Sequence, residues 1–277
     1  MNITAQDVNK LRKMTGAGMM DCKKALTEAN GDFEVAIDLL RKTGQKVSAS
    51  RADRQTSEGS IFVQTDTNGQ EGILVALNCE TDFVAKNEEF QALGAEILEQ
   101  AGINNPGSIE DLMSLPSGDL TIGEKMVDLI GKIGEKIEIS AYERLTAEKV
   151  ITYIHAGSKL GVLVGLDGSD GSDVDAAGRD VAMQIAAMNP VAVDKDQVDS
   201  TVIEREMAIG REQAIAEGKP ENIIDKIATG KLNKFYKENT LLNQTFVKDN
   251  SFTVSKFLDS VKQGLTVNDF RRVSIGG

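Results

Sequence analysis

The chain has no tryptophan, and aromatic residues of all kinds make up only 4% of its 277 positions. It has one histidine, His155, and two cysteines, Cys22 and Cys79. A four-ligand zinc site cannot be assembled from that set, and a disulfide framework is equally excluded. Isolated thiols fit a reducing compartment, so a cytoplasmic location is expected. No apolar run approaches the roughly 18 residues of a membrane span, and the opening residues lack the basic patch and apolar stretch of a secretory leader. No membrane association is therefore expected. Positive charge is also in short supply: Lys and Arg total 31 against 43 Asp and Glu, a net charge of −12. Nucleic-acid binding needs concentrated cationic surface, so nucleic acid is not an expected partner. The balance favours partners that are proteins or small molecules.

The usual catalytic motifs are missing too. The nearest approach to a phosphate loop, Gly118 to Lys125, has Glu124 where the lysine belongs. Gly16-Ala17-Gly18 has no third glycine and follows no strand, so it is not a dinucleotide fingerprint. A calcium loop starting at Asp173 would place Ala177 and Gln184 at ligand positions, which leaves Asp167, Asp170, Asp173 and Asp175 as a solvated acidic turn. Cys79 and His155 fall at equivalent ends of two similar segments and could form a thiol–imidazole dyad. Cys79 closes an apolar strand, however, and reads more simply as a small buried residue. No enzyme activity, cofactor or metal is expected.

What is present is a change of period along the chain, and it predicts an α+β fold. Residues 1–45 carry three short amphipathic helices, each with its own punctuation. Thr4 and Asp7 form a capping box, Thr15-Gly16-Ala17-Gly18 is a turn, Asn30-Gly31 is a stop, and Asp32 is a cap. Residues 46–57 read as a polar linker. From Glu58 the period becomes two. Ile61–Val63 and Gly72–Leu77 flank an Asn68-Gly69 hairpin turn. A helix is predicted from about 86 to 101, closed by Gly102 and Pro106, followed by shorter ones at 108–114 and 121–132 and a returning strand from Lys136. The plan then repeats: Val150–Ile154 and Gly161–Leu166 flank a turn, and a helix follows at 174–188. Gly72-Ile73-Leu74-Val75-Ala76-Leu77 and Gly161-Val162-Leu163-Val164-Gly165-Leu166 are nearly the same hexamer. The organisation expected is a first core subdomain at 58–146 and a second at 147–199 and 240–277. Each is an antiparallel hairpin-plus-helix unit. A helical hairpin at 200–239 interrupts the second one, turning at Gly218-Lys219-Pro220. That hairpin is either self-contained or an interface with a second copy or a partner. A helix at Val254–Val261 and a strand at Phe270–Ile275 complete the chain.

One segment is unusual on its own terms. Thr81-Asp82-Phe83-Val84 leaves a strand and enters a polar helix-forming run. Thr81 or Asp82 can cap that helix, but capping does not require Phe83. The aromatic is either a hydrophobic staple folded onto the sheet or an exposed anchor for a partner's pocket. Met19-Met20 carries the same ambiguity, since thioethers suit both cores and adaptable surfaces.

Thr15-Gly16-Ala17-Gly18-Met19-Met20-Asp21-Cys22-Lys23-Lys24-Ala25-Leu26 and Asn78-Cys79-Glu80-Thr81-Asp82-Phe83-Val84-Ala85 resemble the signatures of bacterial elongation factor Ts. The resemblance continues through Lys132-Ile133-Gly134-Glu135, His155 with Gly161–Val164, and Gln244-Thr245-Phe246-Val247. It implies a nucleotide exchange factor that binds the GDP form of elongation factor Tu, displaces the magnesium ion and lets GTP replace GDP. It implies that Thr81, Asp82, Phe83 and Val84 form the displacing segment, with Met19, Met20 and His155 as further contacts. The helical insertion would be a coiled coil associated with a homodimer or heterotetramer. Residues 1–45 also resemble a ubiquitin-associated-type bundle, which leaves a protein-binding adaptor as the competing expectation.

Overall fold

The computed structural model describes residues 3–276. It opens on α1 (Ala5–Thr15), α2 (Met19–Glu28) and α3 (Phe33–Arg51). Thr4 and Asp7 make the predicted capping box, and Gly16 ends α1 at φ 68°. The Asp32 carboxylate accepts from Glu34 N (2.9 Å) and Val35 N (3.1 Å), which satisfies donors that the first turn of α3 leaves free. Val8, Leu11, Cys22, Ala25, Leu26 and Ala36 form the bundle's small core.

Strands β1 (Glu58–Thr65) and β2 (Glu71–Cys79) then make a hairpin. Helices α4 (Asp82–Ala85), α5 (Glu88–Asn104) and α6 (Ile109–Ser114), a two-residue ribbon β3 (Pro116–Ser117) and β4 (Leu120–Thr121), and α7 (Ile122–Ile133) lead to β5 (Ile137–Thr146). The second half runs β6 (Lys149–Ile154), β7 (Leu160–Asp167), α8 (Asp175–Met188), α9 (Ser200–Ala216), α10 (Glu221–Asn239), α11 (Val254–Val261) and β8 (Thr266–Ser274). Two antiparallel three-stranded sheets result, ordered β1-β2-β5 and β6-β7-β8.

The repeated hexamers are the middle strands of these sheets, and the alternation of side chains explains their composition. Ile73, Val75 and Leu77 face a core shared with α5 and α7. Val162, Val164 and Leu166 face a core shared with α8 and α11. The opposite faces meet each other: Leu74, Ala76 and Leu163 lie in one cluster with Ile61, Leu145 and Ile275. Both middle strands are thus covered on both faces, which is why they read as continuous apolar runs rather than as an alternation. The sheets approach closely where the hexamers begin. A methyl group on Gly72 would lie 2.6 Å from Val150 Cγ1, and one on Gly161 would lie 2.6 Å from Ile61 Cγ2. The register slips by one residue at Ala76/Leu77 against β5 and at Gly165/Leu166 against β8, the same hexamer position in each sheet.

The structure corrects several boundaries. The helix expected from 86 to 101 starts at Glu88, because Asn87 caps it by accepting from Glu89 N (2.9 Å) and Phe90 N (3.3 Å), and the turn before it, Asp82–Ala85, is a separate helix. Gly102 does not end it; α5 continues to Asn104, and Asn105 supplies the left-handed stop at φ 52°. Helix α3 runs six residues into the expected linker, to Arg51, and Val47 packs against the first core. The final strand begins at Thr266 rather than Phe270. Helices α9 and α10 form the expected hairpin, closed on small residues: Ala214 and Ala228 are fully buried, and a methyl on Gly210 would lie 3.0 Å from Ala228 Cα.

The N-terminal bundle docks on the sheets through α3 and α7. They cross at Gly44 and Gly131, where a Cβ on Gly131 would lie 2.8 Å from Gly44 Cα. Alanine normally stabilises a helix interior by about 1 kcal/mol over glycine. Gly131→Ala should instead destabilise by roughly 1–3 kcal/mol, since the atom it meets is backbone. Gly230 in α10 has nothing within 4 Å of its Cβ position, so Gly230→Ala should stabilise by about 0.5–1 kcal/mol. Urea midpoints moving in opposite directions for the two variants would check this packing.

Candidate functional site

Strand β2 ends at Cys79, and the chain turns directly into α4, a helix of four residues. So short a helix cannot sustain itself, because nucleation outweighs its few hydrogen bonds. Its anchors are tertiary. Val84 and Ala85 are each 7% exposed and belong to the first core. Their direction turns Phe83 outward, and Phe83 is 82% exposed. The staple reading of Phe83 is therefore overturned: Val84 and Ala85 provide the burial, and the aromatic stands in solvent. Asp82 is also exposed and pairs with Lys86 at 2.7 Å, four residues on. That hydrogen bond and charge hold its carboxyl below the usual range.

Two carboxylates fasten the start of this segment. Glu135 accepts from Thr81 N (3.0 Å) through one oxygen and from the Thr81 hydroxyl (2.7 Å) through the other. The neighbouring Glu80 does the converse, accepting from Lys136 N at 2.7 Å. Glu80 also takes Arg54 at 2.9 Å. Burial works to raise the Glu80 carboxyl, but the Lys136 N–H and the Arg54 guanidinium outweigh it and hold it below the carboxylate range. Residues 80–81 and 135–136 are thus joined by side chain to backbone in both directions. Sequence reasoning gave Glu80 and Glu135 no role. The available signals were their places in the stretches that carry the resemblance and, for Glu135, its position directly after Gly134, the left-handed cap of α7 at φ 83°.

Asp82, Ala85 and Lys86 line a cleft of about 690 Å³ together with residues of β1 (Glu58, Gly59, Ser60) and of the β6–β7 turn (Gly157, Ser158, Lys159), and Lys159 pairs with Glu58 at 2.5 Å. The β6–β7 turn reaches this position because Ile61 N donates to Ser158 O at 2.8 Å across the two sheets. His155 opens that turn, with its backbone N–H on Leu160 O (2.8 Å) and its Nδ1 2.9 Å from the Tyr153 hydroxyl. The cleft therefore brings Asp82 and the His155 turn to one edge, although His155 does not line it. Met19 and Met20 are 52% and 74% exposed in the first turn of α2. They are surface residues of the bundle, apart from this cleft. The Gly16 turn just before them rests on Lys132 of α7, a methyl there meeting Lys132 Cε at 2.9 Å. Lys132 in turn pairs with Glu89 of α5 at 3.0 Å.

The thiol–imidazole dyad is not assembled. Cys79 is fully buried and donates to Thr81 O at 3.2 Å. Burial, and then the Glu135 carboxylate, push its thiol up to about 12. The acidic turn is organised by Glu148, which accepts from Gly168 N (2.7 Å) and Asp170 N (2.6 Å). Asp170 is matched by Lys262 at 2.5 Å and Asp175 by Lys149 at 2.9 Å.

A family model described as elongation factor TS matches residues 80–277, beginning at the first residue of the fastened segment. The chain is 58% identical over 276 residues to a protein named elongation factor Ts from Amoebophilus asiaticus, with 100% of both chains covered. It is 57% identical to one of the same name from Cytophaga hutchinsonii, with 99% of each covered. With one from Christiangramia forsetii the identity is 49%, again over 99% of each.

Cys79 makes a pH prediction whose sign follows from its raised folded value. An unfolded thiol ionises at its ordinary value of 9.0, and burial pushes the folded one up to about 12. The stability this thiol contributes is therefore fully present below pH 9 and is lost as pH rises through about 12. Cys79→Ala should show a shallower alkaline fall in urea midpoint than the parent chain. A thiol reagent at pH 8 should label Cys79 only once the protein is unfolded.

Proposed function

This chain belongs to the elongation factor Ts family, a family of nucleotide exchange in translation, and we propose that it releases GDP from elongation factor Tu by inserting Phe83. The observation that carries the reading is an aromatic side chain 82% exposed on a helical turn whose next two residues are buried. A large apolar side chain held out in water by a rigid support is an anchor without its pocket. Thr81, Asp82, Phe83 and Val84 form the displacing segment. Phe83 enters the partner beside its magnesium site, and the Asp82 carboxylate accompanies it. Displacing the ion removes the charge that neutralises the nucleotide's phosphates. Met19, Met20 and His155 make further contacts on the same partner.

Magnitudes decide how this must work. Nanomolar nucleotide binding is about 12 kcal/mol. Burying one phenylalanine contributes roughly 2–3 kcal/mol. Phe83 therefore acts as a trigger, and a broad interface holds the partner open. Binding of the exchange factor and of the nucleotide weaken one another by the same factor, so GTP expels the factor as the factor expelled GDP. No covalent bond is made or broken, and no nucleophile, base or cofactor of this chain is required.

The organisation that serves this function is a bundle at 1–45 whose last helix runs on to Arg51 into the expected 46–57 linker, one core unit at 58–146, and a second at 147–199 and 240–277 interrupted by the hairpin at 200–239. The shared hexamer and the matching register slip support descent of the two units from one ancestor. The hairpin exposes Ile209 and Ile215, 39% and 61% accessible, which suits a dimer or a higher assembly with elongation factor Tu.

Stopped-flow release of a fluorescent GDP from elongation factor Tu tests the proposal. The parent chain should accelerate release strongly. Phe83→Ala should lower the maximal rate roughly tenfold to a hundredfold, the range expected for losing one buried aromatic. Equal acceleration by both proteins would remove Phe83 from the mechanism.

A further inference from the structure

The crossed hydrogen bonds of Glu80 and Glu135 are more than ordinary loop packing. Thr81 is the cap residue of α4, yet its hydroxyl stands 3.4 Å from Val84 N, a long and weak cap. The same hydroxyl donates to Glu135 at 2.7 Å, and the Thr81 N–H donates to the other Glu135 oxygen at 3.0 Å. The start of α4 is therefore fixed by Glu135 rather than by its own cap. Glu80 completes the closure from the other side through Lys136 N and Arg54. Hydrogen bonds to a charged acceptor are shorter and about twice as strong as neutral ones. The Asp82–Lys86 pair does not substitute for them, because it is solvent-exposed and lies within α4 itself.

We infer that Glu135, with Glu80 as its counterpart, is a positioning residue that holds Phe83 in its outward, insertion-ready orientation. It does not touch the partner's nucleotide; it acts through Thr81 on the aromatic. The support also extends backwards. Glu135 follows α7, and α7 carries both the Gly131 contact with α3 and the Lys132 contact beneath Gly16. One helix thus fixes Phe83 and the Met19–Met20 turn relative to each other.

The part concerning exchange rests on the proposed function, so the test has two arms. The first uses the absence of tryptophan from the chain. Phe83→Trp introduces a single tryptophan, excited apart from the three tyrosines at about 295 nm or longer, at the tip of the segment. Adding Glu135→Ala to it should lower the tryptophan anisotropy in the absence of denaturant while the far-ultraviolet spectrum stays that of the Phe83→Trp protein, the urea midpoint falling only by what the two lost hydrogen bonds supply. Glu135→Gln, which keeps one acceptor oxygen, should restore part of the anisotropy. An unchanged anisotropy in Glu135→Ala overturns the inference, whatever the protein does to elongation factor Tu.

The second arm is a double-mutant cycle on GDP release. Glu135→Ala alone should lower the maximal release rate by about tenfold, the loss of one charge-assisted contact's worth of orientation, with little change in partner affinity. In a Phe83→Ala background it should produce no further loss, because there is no aromatic left to position. If the two losses multiply, or if affinity falls and the maximal rate does not, Glu135 is a structural residue and the inference fails. If the parent chain itself accelerates nothing, the exchange reading fails, and the anisotropy arm still decides the role of Glu135.

Discussion

The stacking of one three-stranded sheet on the other is the contact on which everything else in this molecule depends. It works because the facing positions of the middle strands are small or regular: Gly72, Leu74 and Ala76 on one side, Gly161, Leu163 and Gly165 on the other. Dispersion forces decay steeply with distance, so a dry interface of this kind needs close approach along its length. With the sheets so placed, the turn of the second hairpin reaches the strand end of the first. The Ile61–Ser158 hydrogen bond marks that meeting. Without it Asp82 would face open water instead of a cleft, and the His155 turn would lie elsewhere.

Helix α7 performs the complementary task at the other side of the first sheet. It contributes Ile122, Met126, Leu129 and Ile130 to the core. Its outer surface receives the N-terminal bundle at a glycine-to-glycine crossing, and its end passes into the glutamate that holds Thr81. Three features that are distant in sequence are thereby referred to one rigid element. Such an arrangement keeps the Phe83 turn and the Met19–Met20 turn at a fixed separation.

Much of this was legible in the sequence, for identifiable reasons. The caps at Thr4, Asp32 and Thr121 act within three residues, so composition alone reveals them. The hexamers announced their buried strands, and their repetition pointed to two similar sheets. The cap at Asn87 was missed because an asparagine cap looks like any polar residue when helix-forming residues stand on both sides. The orientation of Phe83 was not legible, since a four-residue helix is too short to display a period. The Glu135–Thr81 contact spans 54 positions, and nothing local to either residue encodes the other. Family resemblance singled out Thr81–Val84; it did not reveal what holds that segment in place.

The seam of the α9–α10 hairpin has a consequence for how the molecule can change over time. Its two helices approach most closely at glycine and alanine, and the exposed Ile209 and Ile215 are left with no part in the cores of the sheets. Ile209 and Ile215 can be exchanged for other residues without disturbing a single core contact of the sheets. The hairpin is therefore the part of the chain where a new surface can be tried at the least cost to the two sheets.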